Sequence, residues 1–280
     1  MTKSGAEKLA LSNGFEMNIE VHSGLVPKDT VFIHGNLASN TWWRPALSVW
    51  QERSKMPPKI PARAAYDGRL IFGEWRGCGK SSGPASAAEL DPAVLADDYI
   101  LALKALGIEK ACLVGHSNGG LIALFALLRA PELFDRVVLL DPVAATGVQF
   151  EKPMYDAFTA MSKDRNMCKT VISATISATI EPALLEEIVD DAFGVSKVIW
   201  HGVPDAIKSI NIVADLQRIK QPVLVLHGDQ DPILPIEGSI AMAAQLGNGT
   251  FLKLEGRGHS ANVEDPQLFV EKTHSFLFGH

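Results

Sequence analysis

The feature that most constrains the fold is a regular alternation of short apolar runs with longer segments of helical character. The runs are TVFIHG at 30–35, LIFGE at 70–74, KACLVG at 110–115, RVVLLD at 136–141, PVLVLHG at 222–228 and TFLKLEG at 250–256. Continuous apolar runs of this length are typical of strands buried on both faces of a parallel sheet. The alternation therefore predicts an α/β fold, with a mostly parallel sheet covered by helices on both faces.

Helix-start signals lie between these runs. Asp91 precedes Pro92, and Asp265 precedes Pro266, which predicts an N-cap and a first helical residue in both places. Gly107 is expected to end the first of these helices. The segment NGGLIALFALLRAPE at 118–132 is apolar on every side, and this predicts a helix buried in the middle of the molecule.

One region, from 143 to about 215, breaks the alternation, because it contains helical patterns and no convincing strand. In EPALLEEIVDDAFG at 181–194 the acidic residues occupy one helix face, and the other face carries Leu184, Leu185, Ile188, Val189, Ala192 and Phe193. We therefore expect a core domain in two parts, 1–142 and 216–280, with a helical cap at 143–215. The near-repeat ISATISAT at 172–179 is too short to be a repeat array. The proline-rich stretch at 56–68 predicts a surface loop.

Composition narrows the function classes. The chain has 280 residues, 47% hydrophobic and 21% charged, with a net charge of −6, which is ordinary for a globular enzyme. Its lysines and arginines are dispersed, so neither a nucleic-acid partner nor a membrane surface is indicated. The N-terminus lacks the apolar stretch of a signal peptide, and the three cysteines are widely spaced. We expect a cytoplasmic protein that acts on a small molecule, and a homodimer is compatible with the sequence.

The candidate nucleophile is Ser117, in the pattern Gly-His-Ser-Asn-Gly at 115–119. On its own this pentapeptide also fits a plain glycine–serine turn without chemistry. Its context, between a predicted strand and a predicted helix, instead favours a sharp turn that exposes the hydroxyl at the strand's end. A nucleophilic serine also needs a base, an acid that orients the base, and donors for the oxyanion.

The remaining parts follow other predicted strands. His259 lies in GRGHSANVEDP, between the last apolar run and the final helix, and is the candidate base. Asp231 in HGDQDPILP is the favoured acid, with Asp141 at the end of RVVLLD as its competitor. The backbone amides of Asn36 and Asn118 are the candidate oxyanion donors, with Leu37 as a further option for the first.

Four such pieces, each at the end of a strand and in the order serine, aspartate, histidine, resemble the α/β-hydrolase fold superfamily over essentially the whole chain. The matching motifs are HGN at 34–36, GHSNGG at 115–120, HGDQDPILP at 227–235 and GRGHSANVEDP at 256–266. WRGCGKSSGP at 75–84 resembles the family's glycine-rich loop, although Glu74 stands where an aspartate is usual. The resemblance implies a Ser-His-Asp hydrolase with a lid domain.

Other motifs are weaker. GCGKSSG lacks the first glycine of a phosphate-binding loop and leads into Gly83-Pro84, so a turn is expected. The histidines have no metal-ligand spacing, and His34, His116 and His227 are expected to support loops. HGN followed by Trp42-Trp43 resembles haloalkane dehalogenases, which attack with an aspartate. A serine in that position argues for acyl chemistry.

We therefore expect a carboxylic-ester hydrolase, acting on an ester or a lactone through an acyl-enzyme on Ser117 and needing neither cofactor nor metal. Leu37, Trp42, Phe158 and Met161 are the expected substrate-binding residues, and Met154, Tyr155 and Ile172 are further candidates for an apolar pocket. Trp42-Trp43 equally fits the start of the first core helix. Three alternatives stay open: C–C bond hydrolysis of diketones, a ligand receptor with slow turnover, and a non-catalytic interaction protein.

Overall fold

An eight-stranded sheet forms the centre of the computed structural model, which describes residues 5–55 and 67–279. The strands are β1 (Gly5–Ala10), β2 (Glu16–Val26), β3 (Thr30–Ile33), β4 (Gly68–Gly73), β5 (Ala111–His116), β6 (Phe134–Leu140), β7 (Val223–Gly228) and β8 (Gly249–Leu254). Their order across the sheet is β1-β2-β4-β3-β5-β6-β7-β8. Only β2 pairs antiparallel, with β1 and β4, and the other neighbours are parallel. The predicted fold class is confirmed.

Helices cover both faces of this sheet. They are α1 (Arg44–Ser54), α2 (Pro92–Ala105), α3 (Asn118–Arg129), α4 (Lys152–Met161), α5 (Arg165–Ala174), α6 (Pro182–Gly194), α7 (Ile199–Ile207), α8 (Ile236–Gln245), α9 (Ala261–Glu264) and α10 (Pro266–Phe278). The side chains of Asp91 and Asp265 accept hydrogen bonds from the first turns of α2 and α10. Both predicted helix starts are therefore present.

Successive residues of the central strands belong to two different apolar clusters. Ile33 and Leu113 pack in a cluster that includes residues of α2, α3 and α8, whereas Phe32 and Val114 pack with residues of α1 and α10. Because side chains alternate across a strand, a continuous apolar run places apolar groups on both faces. This is why these strands could be predicted from the sequence.

The two N-terminal strands were not predicted. β1 is mostly exposed, and the first half of β2 buries the apolar residues Met17, Ile19 and Val21 at alternate positions. An antiparallel edge of a sheet can face water on one side, so it lacks the continuous apolar run that marks the other strands. The proline-rich stretch predicted as a loop at 56–68 lies outside the described residues except for its last two.

The segment between β6 and β7 is helical, as expected, and contributes α4 to α7. Ile188, Val189 and Ala192 of α6 are buried, but Phe193 is 37% exposed. Phe193 is the last residue but one of α6, so the apolar face predicted for this helix is only partly covered at its carboxyl end. Ser39 and Arg44 of the core hydrogen-bond to acidic side chains of α6.

Two further findings concern the whole described chain. Cys78, Cys112 and Cys168 are all free thiols and are buried. Across residues 5–55 and 67–279, none of the helices has the length and apolar character needed to cross a bilayer.

Candidate active site

Ser117 occupies the turn between β5 and α3, at the carboxyl end of a central strand. Its backbone φ is 55° and its ψ is −122°, a conformation that residues with a Cβ rarely adopt. Ser117 N donates to the carbonyl of Leu140 on β6 at 2.9 Å, and Gly120 N donates to Ser117 O at 2.9 Å. Strain of this kind persists only where surrounding contacts hold it, and it clusters at functional sites.

The glycines on either side of Ser117 allow strand and helix to approach closely. A Cβ on Gly115 would lie 2.4 Å from Gly119 O, and one on Gly119 would lie 2.3 Å from Ile33 O on β3. Both contacts are with backbone atoms, which cannot move aside without shifting the sheet or the helix. The spacing of the motif is therefore a packing requirement of the turn, as the sequence indicated.

His259 lies in the loop between β8 and α9 and is 6% exposed. Its Nδ1 donates a hydrogen bond to Asp231 Oδ2 at 2.7 Å. The other carboxylate oxygen, Asp231 Oδ1, accepts from the backbone amides of Ile233 at 2.8 Å and Leu234 at 3.2 Å. The carboxylate is thus fixed on one side by its own loop and oriented on the other side toward the imidazole.

This pairing changes the ionisation of both groups. Burial alone would lower the pKa of His259, but the hydrogen bond and the negative charge of Asp231 raise it above the ordinary value of 6.5. Burial would raise the pKa of Asp231, yet His259 and the two backbone amides hold it below its ordinary value. The pair therefore stabilises an imidazolium facing a carboxylate, the charge state that forms when a base accepts a proton.

Ser117 and His259 both line one cavity. No hydrogen bond joins their side chains in the part of the chain that the structure describes. Catalytic hydrogen bonds are often long in unliganded sites and tighten when substrate binds.

Asp141, the competing acid, has a carboxylate oxygen within 4.8 Å of a ring nitrogen of His259. It is fully buried, with φ of 44°, and its Oδ1 accepts from Gly228 N at 2.8 Å. Burial raises the pKa of Asp141 well above the ordinary value. The carboxyl that hydrogen-bonds His259 is that of Asp231, and Asp141 instead ties the end of β6 to the end of β7.

Three other histidines support the surrounding loops. His116 Nε2 donates to His259 O at 2.7 Å, and burial lowers the pKa of His116 to about 3, so its ring is neutral. His227 contacts Ser239 Oγ and the carbonyl of Leu234, and His34 contacts Gly35 O.

Two sets of side chains have potential metal-ligand atoms within 4.8 Å of one another: His116, Asp141 and His259, and Asp141, His227 and Asp231. Several atoms of these side chains have protein partners, whereas His116 Nδ1 and Asp141 Oδ2 have none among the described residues. His259 Nδ1 and Asp231 Oδ2 bond to each other, His116 Nε2 bonds to a carbonyl, and both nitrogens of His227 are engaged.

The candidate oxyanion donors lie beside Ser117. Asn118 begins α3, and the first amides of a helix have no partner within that helix. Asn36 and Leu37 follow β3, which neighbours β5 in the sheet, and Leu37 has a positive φ of 52°. A Cβ on Gly35 would lie 3.0 Å from Ser117 Cβ, so this loop passes directly over the serine.

The cavity next to Ser117 has a volume of about 270 Å³. Its wall includes the four expected substrate-binding residues, Leu37, Trp42, Phe158 and Met161. Met154 and Ile172, the further candidates, also line it. Tyr155 lies elsewhere, stacked on His201 with its hydroxyl donating to Asp205. Trp42 lines the cavity, whereas Trp43 packs against Phe32 in the core, so the two roles considered for the pair are divided between them.

Several wall residues were not anticipated. They come from four separate places in the chain: the stretch just after β6 (Val143 and Phe150), α5 and its end (Val171 and Thr175), α7 (Val203 and Ile207) and the loop that carries Asp231 (Ile233 and Leu234). Their apolar character gave no signal that distinguished a cavity wall from a packed core. A separate, polar cavity of about 220 Å³ lies between the Ser39–Arg44 region and α6 and does not include Ser117.

Comparison with known proteins agrees with the class that this fold and site define. The chain belongs to the alpha/beta hydrolase family, whose model matches residues 30–272. The resemblance inferred from the motifs is confirmed, and so is the expectation that the chain is an enzyme of the hydrolase type.

Individual relatives are distant. A protein of Agrobacterium fabrum, provisionally named a carbamate hydrolase, is 26% identical and covers 93% of this chain and 98% of its own length. The 3-oxoadipate enol-lactonase 2 of Acinetobacter baylyi is 29% identical, covering 80% of this chain and 81% of its own. The structure of an esterase from Exiguobacterium antarcticum superposes with a TM-score of 0.83 at 20% identity, covering 96% and 98%. That last likeness supports the fold.

Proposed function

We propose that this protein hydrolyses carboxylic esters or lactones of small, uncharged, largely apolar molecules through an acyl-enzyme on Ser117. The observation that carries the proposal is the 2.7 Å pair of His259 and Asp231 beside a strained Ser117, in the wall of an apolar cavity. A serine hydroxyl, a histidine oriented by a carboxylate, and backbone donors at a helix start are the components of acyl transfer.

In the proposed mechanism His259 Nε2 accepts the Ser117 hydroxyl proton as the serine oxygen attacks the acyl carbon. The imidazolium then donates this proton to the departing alcohol oxygen, and the acyl group remains on Ser117. Water attacks the ester, transferring a proton to His259, and the carboxylic acid leaves as Ser117 recovers its hydrogen. Asp231 keeps the Nδ1–H tautomer and stabilises the charged ring.

Stabilisation of the tetrahedral oxyanion is assigned to the backbone amides of Asn118 and Asn36, with the amide of Leu37 as a further option for the second donor. The close approach of Gly35 to Ser117 supports this assignment, because it brings the loop into contact with the serine. Such preorganised donors stabilise the transition state, and the loss of one typically costs about 10²–10³ in kcat.

The lining of the cavity indicates the substrate class. Among the described residues that form it, none is Asp, Glu, Lys or Arg, and most are aliphatic or aromatic. A carboxylate on the substrate would lose its hydration without gaining a cationic partner, which costs several kcal/mol. The volume of about 270 Å³ is below the range of roughly 300–1,000 Å³ usual for drug-sized ligands. A small uncharged acyl group is therefore favoured.

The helical segment that includes α4 to α7 is proposed to act as the cap, with the core formed by the flanking parts. Its residues Phe158, Met161 and Ile172 line the same cavity as Ser117 and Asn118. Acyl selectivity is thus assigned to the cap and chemistry to the strand ends of the core.

The test is a substrate panel measured by kcat/KM. It contains chromogenic esters of increasing acyl length, lactones, a carbamate ester, a diketone, and one ester that carries a free carboxylate but matches another in length. The proposal expects turnover of uncharged esters or lactones and at least a tenfold lower kcat/KM for the carboxylate partner. Binding without turnover would favour a receptor, and preferential cleavage of the diketone would favour C–C bond hydrolysis.

A further inference from the structure

The near-repeat at 172–179, here termed the ISAT segment, connects α5 to α6 and contacts both the cavity and the loop of His259. In the first copy, Ile172 and Thr175 line the cavity. The carbonyl of Thr175 also accepts a hydrogen bond from His259 N at 3.1 Å. One short stretch thus forms part of the acyl pocket and fixes the backbone of the candidate base.

The second copy, through Ser177 and its partner Glu264, hydrogen-bonds to the residues that flank His259. Ser177 Oγ accepts from Gly258 N at 2.9 Å and hydrogen-bonds to the carboxylate of Glu264. Glu264 in turn accepts from Gly258 N at 2.7 Å and from Ser260 N at 3.2 Å. The Ser177–Glu264 pair therefore engages the amides on both sides of His259.

Gly258 makes this close docking sterically feasible. A Cβ at this position would lie 2.8 Å from Thr175 O, 2.9 Å from Glu264 Oε1 and 3.2 Å from Ser177 N. The glycine beside the histidine thus leaves room for the ISAT segment.

We propose that Ser177 and Glu264 are positioning residues, through which the ISAT segment couples the acyl pocket to the placement of the His259 imidazole. The proposal rests on the proposed function in its use of hydrolysis as a readout. Its physical basis is that three backbone amides in succession, of Gly258, His259 and Ser260, all bond to the ISAT segment or to its partner Glu264.

The first test compares Ser177→Ala with Ser173→Ala, a matched control at the same place in the other copy of the repeat. Loss of the Ser177 hydroxyl should lower kcat about tenfold with KM within about twofold, because a slightly misplaced base weakens the transition state while the pocket wall stays intact. Ser173→Ala should keep the wild-type kcat. Ser177→Thr, which retains a hydroxyl, should recover most of the lost rate.

The second test uses Glu264→Gln and does not depend on any substrate. The negative charge of Glu264 contributes to raising the pKa of His259, along with the larger effect of Asp231 and against burial. The His259 pKa, followed by NMR titration of its imidazole, should therefore fall in Glu264→Gln and stay unchanged in Ser173→Ala. The midpoint of the acid limb of kcat/KM should fall by the same amount.

The two proposals fail in different ways. A wild-type protein that cleaves no ester or lactone refutes the proposed function. The positioning role can still be tested by NMR, and it is refuted if the His259 pKa is unchanged in Glu264→Gln. An active wild type whose kcat is equally unaffected by Ser177→Ala and Ser173→Ala refutes the positioning role. A Ser177→Ala defect that lies only in KM also refutes it. So does a loss of kcat in Ser177→Ala that Ser173→Ala shares, when both variants lose the same thermal stability.

Discussion

Replacing Asp231 by asparagine should disable the site by reversing the histidine tautomer. Asp231 Oδ1 accepts from the amides of Ile233 and Leu234, so in the variant the side-chain oxygen must stay on that side. The amide NH₂ then replaces Oδ2, 2.7 Å from His259 Nδ1. Two donors cannot face each other, so Nδ1 must become the acceptor and Nε2 must carry the proton. A protonated Nε2 cannot accept the serine hydrogen.

The expected decrease in kcat follows from the loss of the correct histidine tautomer and of the carboxylate charge. In serine proteases the equivalent change costs about 10⁴ in kcat, and the same two losses, tautomer and charge, apply here. This corresponds to about 5 kcal/mol at the transition state. KM should change little, because Asp231 does not line the cavity.

Asp141→Asn is the matched control. Burial raises the pKa of the Asp141 carboxyl well above its ordinary value, and asparagine has nearly the same shape and retains an acceptor for Gly228 N. Its kcat should stay within about threefold of wild type, a change of less than 1 kcal/mol.

The assay is initial-rate hydrolysis of the best ester in the panel by both variants, with folding checked by circular dichroism. The reasoning is refuted if Asp141→Asn is the crippled enzyme while Asp231→Asn is nearly normal. In that case the pairing of His259 with Asp231 would not be the one used in turnover.

Three further outcomes are expected. The kcat/KM of wild type should rise with pH through one ionisation whose midpoint lies above 6.5, because His259 must be neutral to act as a base and its pKa is raised; a midpoint below 6.5 argues against this. Gly119→Ala should lower the thermal midpoint by several degrees, since its Cβ would meet Ile33 O at 2.3 Å and overpacking costs about 1–3 kcal/mol, whereas Gly194→Ala, with open space, should not. Phe158→Ala should shift kcat/KM toward longer acyl chains by enlarging the cavity, and an unchanged chain-length profile would remove Phe158 from the acyl pocket.

Much of the fold could be predicted because the parallel strands are buried on both faces, and their sequences are therefore continuously apolar. β1 and β2 were not predicted, because one side of that edge of the sheet is exposed and half-buried strands lack a continuous apolar run. The turn at Ser117 was predictable for a related reason. Its glycines are required by backbone contacts with neighbours only a few residues away or on the adjacent strand.

The contacts between the side chains of the site were harder to predict than the identity of the residues that form it. The choice between Asp231 and Asp141 depends on which carboxyl reaches His259, and both follow neighbouring strands, β7 and β6. The contacts of Ser177 with Gly258 and Glu264 join residues about eighty positions apart. Nothing in a short serine–alanine–threonine repeat indicates such a contact, since it arises from how α5 ends above the histidine loop.

The most direct test of the central claim is to trap the covalent intermediate. Wild-type protein is mixed with a chromogenic ester, quenched with acid during the burst, and analysed by intact mass and peptide mapping. One acyl group is expected, located on Ser117 in the peptide that spans β5 and α3, and no adduct is expected in Ser117→Ala treated in the same way. An acyl group on another residue, or Ser117→Ala turning over the ester at the wild-type rate, would contradict it.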